Sequence, residues 1–216
     1  MKARLALTAL LALTTTLATA IPIDNTLIQS FSGNSAIPDN NANGVAFSFN
    51  LNTPTPSMIS GLTVDLNLAG GWNGDLYAYL SHGSSFAVLL NRIGRTAGNS
   101  DGSGSSGMTV QFSDLYAADI HNFAGGSLSG NFAADGRNVN PLTALDTDAR
   151  TATLGSFLGA NPNGLWTLFF ADVAPGGVSA VKSWTVTVSL PDSGSTATLL
   201  LGLLPLLDLA RRVSRR

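Results

Sequence analysis

The chain has no cysteine and no glutamate, and only 11% of its 216 residues are charged. Without cysteine, no disulfide can hold the fold and no thiolate can serve as nucleophile or metal ligand. Without glutamate, every acid is the shorter aspartate, a residue that hydrogen-bonds its own neighbourhood and initiates turns. Only two histidines occur, His82 and His121, and they are not at metal-ligand spacing. Apolar residues show no sustained 3.6-residue period between residues 21 and 190, so no long helix is expected there. The chain is instead rich in glycine, with 23 residues, and in short β-forming runs.

The clearest of these runs lie between Gly164 and Leu190. Leu165 to Phe170 is apolar on both faces, which predicts a central strand between covering layers. In Trp184 to Leu190 the residues Trp184, Val186, Val188 and Leu190 alternate with Thr185, Thr187 and Ser189. That period of two predicts a strand covering a core on one side only, an edge-and-centre pairing with the first run. Val45 to Leu51 and Met58 to Leu68 alternate in the same way. Leu76 to Leu80, Phe86 to Leu90 and Met108 to Phe112 are shorter runs, separated by Gly-rich turns. Gly98 to Gly107 is predicted as a flexible polar loop, and Ser113 to Arg150 as loop-rich. Strands spaced in this way point to an all-β, antiparallel sandwich or jelly roll.

The ends differ from the middle. Lys2 and Arg4 precede an apolar run, Leu5 to Leu17, and Ala18-Thr19-Ala20 is a small-residue cleavage pattern. Residues 1–20 therefore read as a signal helix, cut after Ala20 by signal peptidase. At the other end Pro191-Asp192-Ser193-Gly194 precedes the apolar STATLLLGLLPLLDLA and then Arg211, Arg212, Arg215 and Arg216. The apolar part, expected as a short helix, would halt in the membrane with the arginines on the cytoplasmic side. It is shorter than the ~20 residues of a full span and contains Pro205 and Asp208. Residues 191–216 resemble the sorting tails of the PEP-CTERM class, here with a PDSG motif. That resemblance implies processing by an exosortase, transient membrane contact through the tail, and a place in the bacterial cell envelope or the extracellular matrix. An unprocessed C-terminal anchor is the plainer alternative.

Residues 21–190 carry 5 cations against 11 aspartates, a net charge of −6, which argues against nucleic acid or anionic lipid as partner. Within them four segments stand in a recognisable order: AIPDN at 36–40, GGWNGDLYAYLSHGSSFAVLLNRIG at 70–94, LSGNFAADG at 128–136, and NPNGLWTLFFAD followed by SAVKSWTVTV at 161–188. In that order they resemble the P domain (P/Homo B) that follows the catalytic domain of subtilisin-like proprotein convertases. The resemblance implies a jelly-roll-like, galactose-binding-like sandwich of about eight strands. Asn67-Leu68-Ala69-Gly70 departs from the family by lacking a histidine before the G-D-L strand. About 15 residues separate the signal peptide from AIPDN, so no catalytic domain is expected to precede the module. The expectation is a non-catalytic surface or matrix interaction module, with matrix polysaccharide as one partner. The alternative is an accessory domain for a separately encoded subtilisin-like protease.

Individual residues support few chemistries. A Ser-His-Asp arrangement needs His82 or His121 as base, and with so many serines and aspartates nearby the pattern is almost empty of information. Asp75 and Asp172 stand at strand ends beside loop carbonyls, a setting of hard oxygens that suits Ca²⁺, and equally suits carboxylates that simply fix turns. Asp146 and Asp148 are a second pair of the same kind. Trp166 and Trp184 read as core, Trp72 as the aromatic to examine for exposure, and Arg92 and Arg95 as solvated or locally paired.

Overall fold

The computed structural model describes residues 25–53, 57–123 and 125–191. The segment expected as a signal peptide (1–20, with Ala20) and positions 192–216 with Asp192, Ser193 and Gly194 lie outside the described residues. Two sheets face each other. The larger contains β1 (Thr26–Ile37), β9 (Ser179–Ser189), β3 (Gly61–Gly70), β6 (Met108–Phe112) and β7 (Leu128–Phe132), in that spatial order. The smaller contains β2 (Asn41–Leu51), β8 (Gly164–Asp172), β4 (Leu76–His82) and β5 (Ser85–Asn91). Helical structure among the described residues is confined to 3-10 turns at Asn73–Asp75, Ile120–Asn122 and Leu154–Phe157. No helix among them is long and apolar enough to cross a membrane.

β8 pairs with β2 on one side and β4 on the other, so it is an inner strand. Trp166, Leu168 and Phe170 face the core, but the other face is not covered by a second layer, and Leu165 there is 58% exposed. β9 buries Trp184, Val186 and Val188 while Thr185, Thr187 and Ser189 face outward. It is an inner strand, however, flanked by β1 and β3, and its polar face reflects an uncovered sheet surface and not a sheet edge. All pairs are antiparallel except β6 with β7. Residues 113–127 join that pair, and a connection of this length lets the chain cross over and return in the same direction.

Aromatic side chains fill the space between the sheets. The Trp166 ring is fully buried, stacked on His82 at 4.3 Å, on Phe157 at 5.3 Å and on Phe49 at 6.2 Å, with its Nε1 donating to the Pro162 carbonyl. Trp184 packs on Phe49 at 5.2 Å and Phe47 at 5.8 Å, and Phe47 meets Phe170 edge-on. Both tryptophans are core, as their strand positions predict. Replacing Trp166 with alanine would empty the centre of this stack, and we expect a loss of about 3–5 kcal/mol in urea unfolding. A loss below about 1 kcal/mol would contradict the packing described here.

Candidate functional site

The two histidines occupy different settings, and neither is free to act as a base. His82 closes β4, and its Nδ1 and Nε2 lie 2.9 Å from the Leu165 carbonyl and 2.7 Å from the Asn161 carbonyl. His121 lies fully buried in a 3-10 turn, with Nδ1 at 2.7 Å from Asp135 Oδ2 and Nε2 at 2.8 Å from the Arg95 carbonyl. Carbonyl oxygens only accept, so Nε2 of His121 must carry a proton and has no lone pair for a nucleophile. Burial, the largest influence on this ring, disfavours its charge. The hydrogen bond and charge of Asp135, with the Arg95 carbonyl, outweigh that and leave its pKa raised despite nearby Arg137. Asp135 also accepts from the Asn91 and Arg137 backbone N–H groups and from the Arg137 guanidinium. Arg137 in turn holds Asp119 at 2.9 Å. These contacts make a structural network that binds the 113–150 segment to β5, with Asn91 Oδ1 and Arg137 Nε the atoms of it that find no hydrogen-bond partner among the described residues.

Asp75 and Asp172 are arranged differently. Leu76 pairs with Asp172 where β4 meets β8, so Asp75, one residue earlier, stands beside the end of β8. Asp75 is 3% exposed and Asp172 fully buried. Asp172 Oδ1 accepts from the Ala174 N–H at 3.3 Å. Oδ2 of Asp172, Oδ2 of Asp75 and Oδ1 of Asn73 find no hydrogen-bond partner among the described residues. Asn73 shares the 3-10 turn with Asp75, and its Nδ2 is committed to Ser105 Oγ and the Gly107 carbonyl, which fixes the amide orientation. Three hard oxygens are thus buried and unpaired at one end of the sandwich, an arrangement that costs free energy unless a cation balances it.

The electrostatics agree. Burial pushes the Asp172 carboxyl up to about 6 from its ordinary 3.8, with the charges of Asp75 and Asp39 adding to the rise. Asp75 is also raised, by burial first, although Arg92 works against the shift. Arg92 is itself 7% exposed, and its NH2 is 3.6 Å from Asp75 Oδ1, too far for a hydrogen bond. Burial lowers the Arg92 pKa, so desolvation outweighs this pairing at both partners. The guanidinium spends its best bond, 2.7 Å from Nε, on the Gly74 carbonyl. Arg92 is therefore a buried residue that braces the 73–75 turn. Arg95 is locally paired, donating to the Ser100 and Ala144 carbonyls.

The 98–107 loop, expected to be flexible, is tied to this corner. Ser103 and Ser105 carbonyls accept from the Gly74 and Asn73 N–H groups at 2.9 Å. A Cβ on Gly74 would collide with the Asp101 carbonyl, so glycine is what allows the loop to close over the turn. Trp72 is 46% exposed beside the same turn. The Asp146–Asp148 pair looks less like a ligand set: Asp148 accepts from the Leu145 N–H at 2.8 Å and closes a turn. No group of three or more His and Asp side chains is clustered for a metal among the described residues, so any ion at Asp75 and Asp172 would draw further oxygens from amide, carbonyl or water. Asn73 was missed by sequence reasoning; its place in Asn-Gly-Asp, between a tryptophan and a strand, was the available signal.

No protein-family model matches the chain, and no curated protein sequence matches it either. Among solved structures it is similar to the serine protease of Aeromonas sobria, at 16% identity and a TM-score of 0.43, over 79% of this chain and 28% of that one. It is also similar to a chain in the crystal structure of the Aeromonas sobria serine protease (ASP) and chaperone (ORF2) complex, at 15% identity and a TM-score of 0.41. That overlap covers 81% of this chain and 28% of the other. Likeness at this level assigns no residue a role.

With a chelator present, stability is expected to fall as pH rises from about 4 to about 6 through Asp172, and further above 6.5 through His121. Asp172, raised to about 6, costs stability above that value, on the order of 3 kcal/mol when fully ionised, and the cost vanishes towards 3.8. His121, raised above its ordinary 6.5, stabilises the fold below that value and loses the contribution as pH rises through its folded pKa. Asp172→Asn should remove the Asp172 part of the slope and stabilise the protein near pH 8. A variant less stable than the parent at that pH, in urea unfolding, would show that the charge is compensated.

Proposed function

We propose that this chain is an exported, non-catalytic sandwich of P-domain type that acts by binding at the bacterial cell surface or in the extracellular matrix. The observation that carries this reading is the coincidence of motif order and strand order. The G-D-L segment opens β4, L-W-T-L runs into Asp172 along β8, and W-T-V-T-V forms the buried half of β9. The two occupied histidines support a non-catalytic role, because a hydrolase of the Ser-His-Asp kind needs an imidazole lone pair facing its nucleophile.

Processing at the tail is compatible with the sandwich. The last rung of the β1–β9 ladder pairs Thr26 with Ser189, and the Leu190 N–H then bonds the Asn25 carbonyl. Pro191 has no N–H with which to continue the ladder, so the Pro191–Gly194 motif begins where the strand must stop. A cut there leaves every ladder bond intact. Cleavage after Ala20 by signal peptidase and near Pro191–Gly194 by an exosortase is accordingly part of the proposal. So is Ca²⁺ held by Asp75, Asp172 and the Asn73 amide oxygen, where it would neutralise the buried carboxylates and brace the loops around them.

The same motif order also favours a second reading, an accessory domain that stabilises a separately encoded subtilisin-like serine endopeptidase. Co-purification of endopeptidase activity from the native host would select it over the first.

Two measurements test the main reading. In strains with and without the exosortase, the mass of the mature protein should end near Pro191–Gly194 only when the enzyme is present; an intact tail in both strains removes the processing claim. Chelator added to protein loaded with Ca²⁺ near pH 7.5 should lower the Tm by several degrees. An unchanged Tm removes the ion.

A further inference from the structure

We propose that the outer face of the four-stranded sheet carries a groove that binds a neutral oligosaccharide. The inference rests on the reading of the chain as a binding module and names the ligand class.

β4 and β8 turn alternate residues away from the core. Tyr79 lies opposite Phe169 and Tyr77 opposite Ala171, so these four make a common floor. The Tyr79 and Phe169 rings stack at 4.9 Å, and Tyr77 lies 6.0 Å from Tyr79. Two pieces of chain rise beside this floor. One is the turn between β1 and β2 around Asn40, and the other is the segment around Asn140 and Leu142. The second wall is fastened to the sheet through Asn91, whose Nδ2 donates to the Arg137 and Val139 carbonyls at 2.9 and 3.2 Å. Between the walls is an open groove of about 700 Å³. Ligand sites generally span roughly 300–1,000 Å³, enough for a few sugar rings.

The lining chemistry selects the ligand. A sugar presents apolar C–H patches together with many hydroxyls that each donate and accept, so it needs rings interleaved with neutral polar groups. Aromatic side chains supply contact area at low entropic cost, and tyrosine adds a polar handle. The hydroxyls of Tyr77 and Tyr79 and the side-chain N–H₂ groups of Asn40 and Asn140 make no hydrogen bond to a described residue. Asn140 Oδ1 is used locally, on the Leu142 N–H. Burial keeps the Tyr77 phenol protonated, its pKa pushed up to about 12, so it can act as a donor at any physiological pH. No lining residue is charged, and the domain's net charge of −6 works against acidic polysaccharides. That balance points to neutral sugars.

The groove also touches the carboxylate corner. Asn40, in one wall, precedes Asn41, which pairs with Asp172 across the β2–β8 ladder, and Val173, which follows Asp172, also lines the groove. A cation at Asp172 would hold this wall in place, so sugar affinity should increase when Ca²⁺ is supplied.

Isothermal titration of the full chain with cellohexaose, maltohexaose, mannohexaose and N-acetylchitohexaose, each to roughly millimolar concentration, tests the proposal. At least one should bind, and an alginate hexamer should not. Tyr79→Ala should weaken binding about tenfold or more. Tyr77→Phe, which keeps the ring and removes only the hydroxyl, should weaken it severalfold with an unchanged Tm. Should Tyr79→Ala fail to fold, Tyr77→Phe and Asn140→Ala carry the test. Absence of binding to all four neutral hexasaccharides overturns the groove, as does binding that both Tyr77→Phe and Asn140→Ala leave unaltered. Preference for alginate overturns it as well. Tail processing and the chelator response do not depend on this outcome, so their survival beside a negative titration would remove the sugar and leave the module.

Discussion

The structure depends on strand β8 being held between β2 and β4 with one face packed into the core. Trp166, Leu168 and Phe170 point into the space between the sheets and are buried, while Phe169 and Ala171 on the other side meet Tyr79 and Tyr77. Hydrogen-bonded to β2 and β4 at once, the strand has no freedom to slip. A shift of one residue would exchange the buried tryptophan for solvent-side threonine. Because the strand runs straight from this core into Asp172, the same pairing that builds the sandwich also buries a carboxylate at its end.

The molecule treats buried charge in two ways. At Asp135, burial is matched by donors on every side: two backbone N–H groups, a histidine and a guanidinium. With both carboxylate oxygens of Asp135 paired, the network fixes the long 113–150 connection against β5. At Asp75 and Asp172 the match is missing. The nearest guanidinium spends its shortest bond on a backbone carbonyl, and one oxygen of each carboxylate is left over. Two buried acids in one corner, with an orphan amide oxygen on the same turn, mark a place where the fold has accepted a local cost. Costs of that kind concentrate at functional positions.

Much of this was readable from residue order because burial imposes a period. β2, β3 and β9 separate their faces cleanly, and Trp184 falls on the buried side. β1 and β7 were not foreseen. In β1 the inward positions include Gln29 next to Leu27 and Phe31, and the strand is bulged between Ser32 and Ser35, so its pattern has too little contrast. β7 is a five-residue edge strand with Gly130 at its centre, which reads as a turn. The burial of Arg92 was hidden for another reason. An arginine at a strand end is ordinarily solvated, and only the tertiary closure of the 98–107 loop over Gly74 takes it out of water. Asp75 and Asp172 were legible as carboxylates at strand ends, whereas their unpaired atoms depend on contacts across the sheet that no local pattern encodes.

Aromatic groove, carboxylate corner and tail junction are all consequences of one sandwich whose loops differ in what they carry. The corner is the part on which the physical account turns, since each of its two buried carboxylates keeps one oxygen without a hydrogen bond. Equilibrium dialysis against radioactive Ca²⁺ near pH 7.5 tests this directly. The account predicts one ion bound per parent chain and none by Asp172→Asn. Equal binding by the two, or no binding by either, would contradict it.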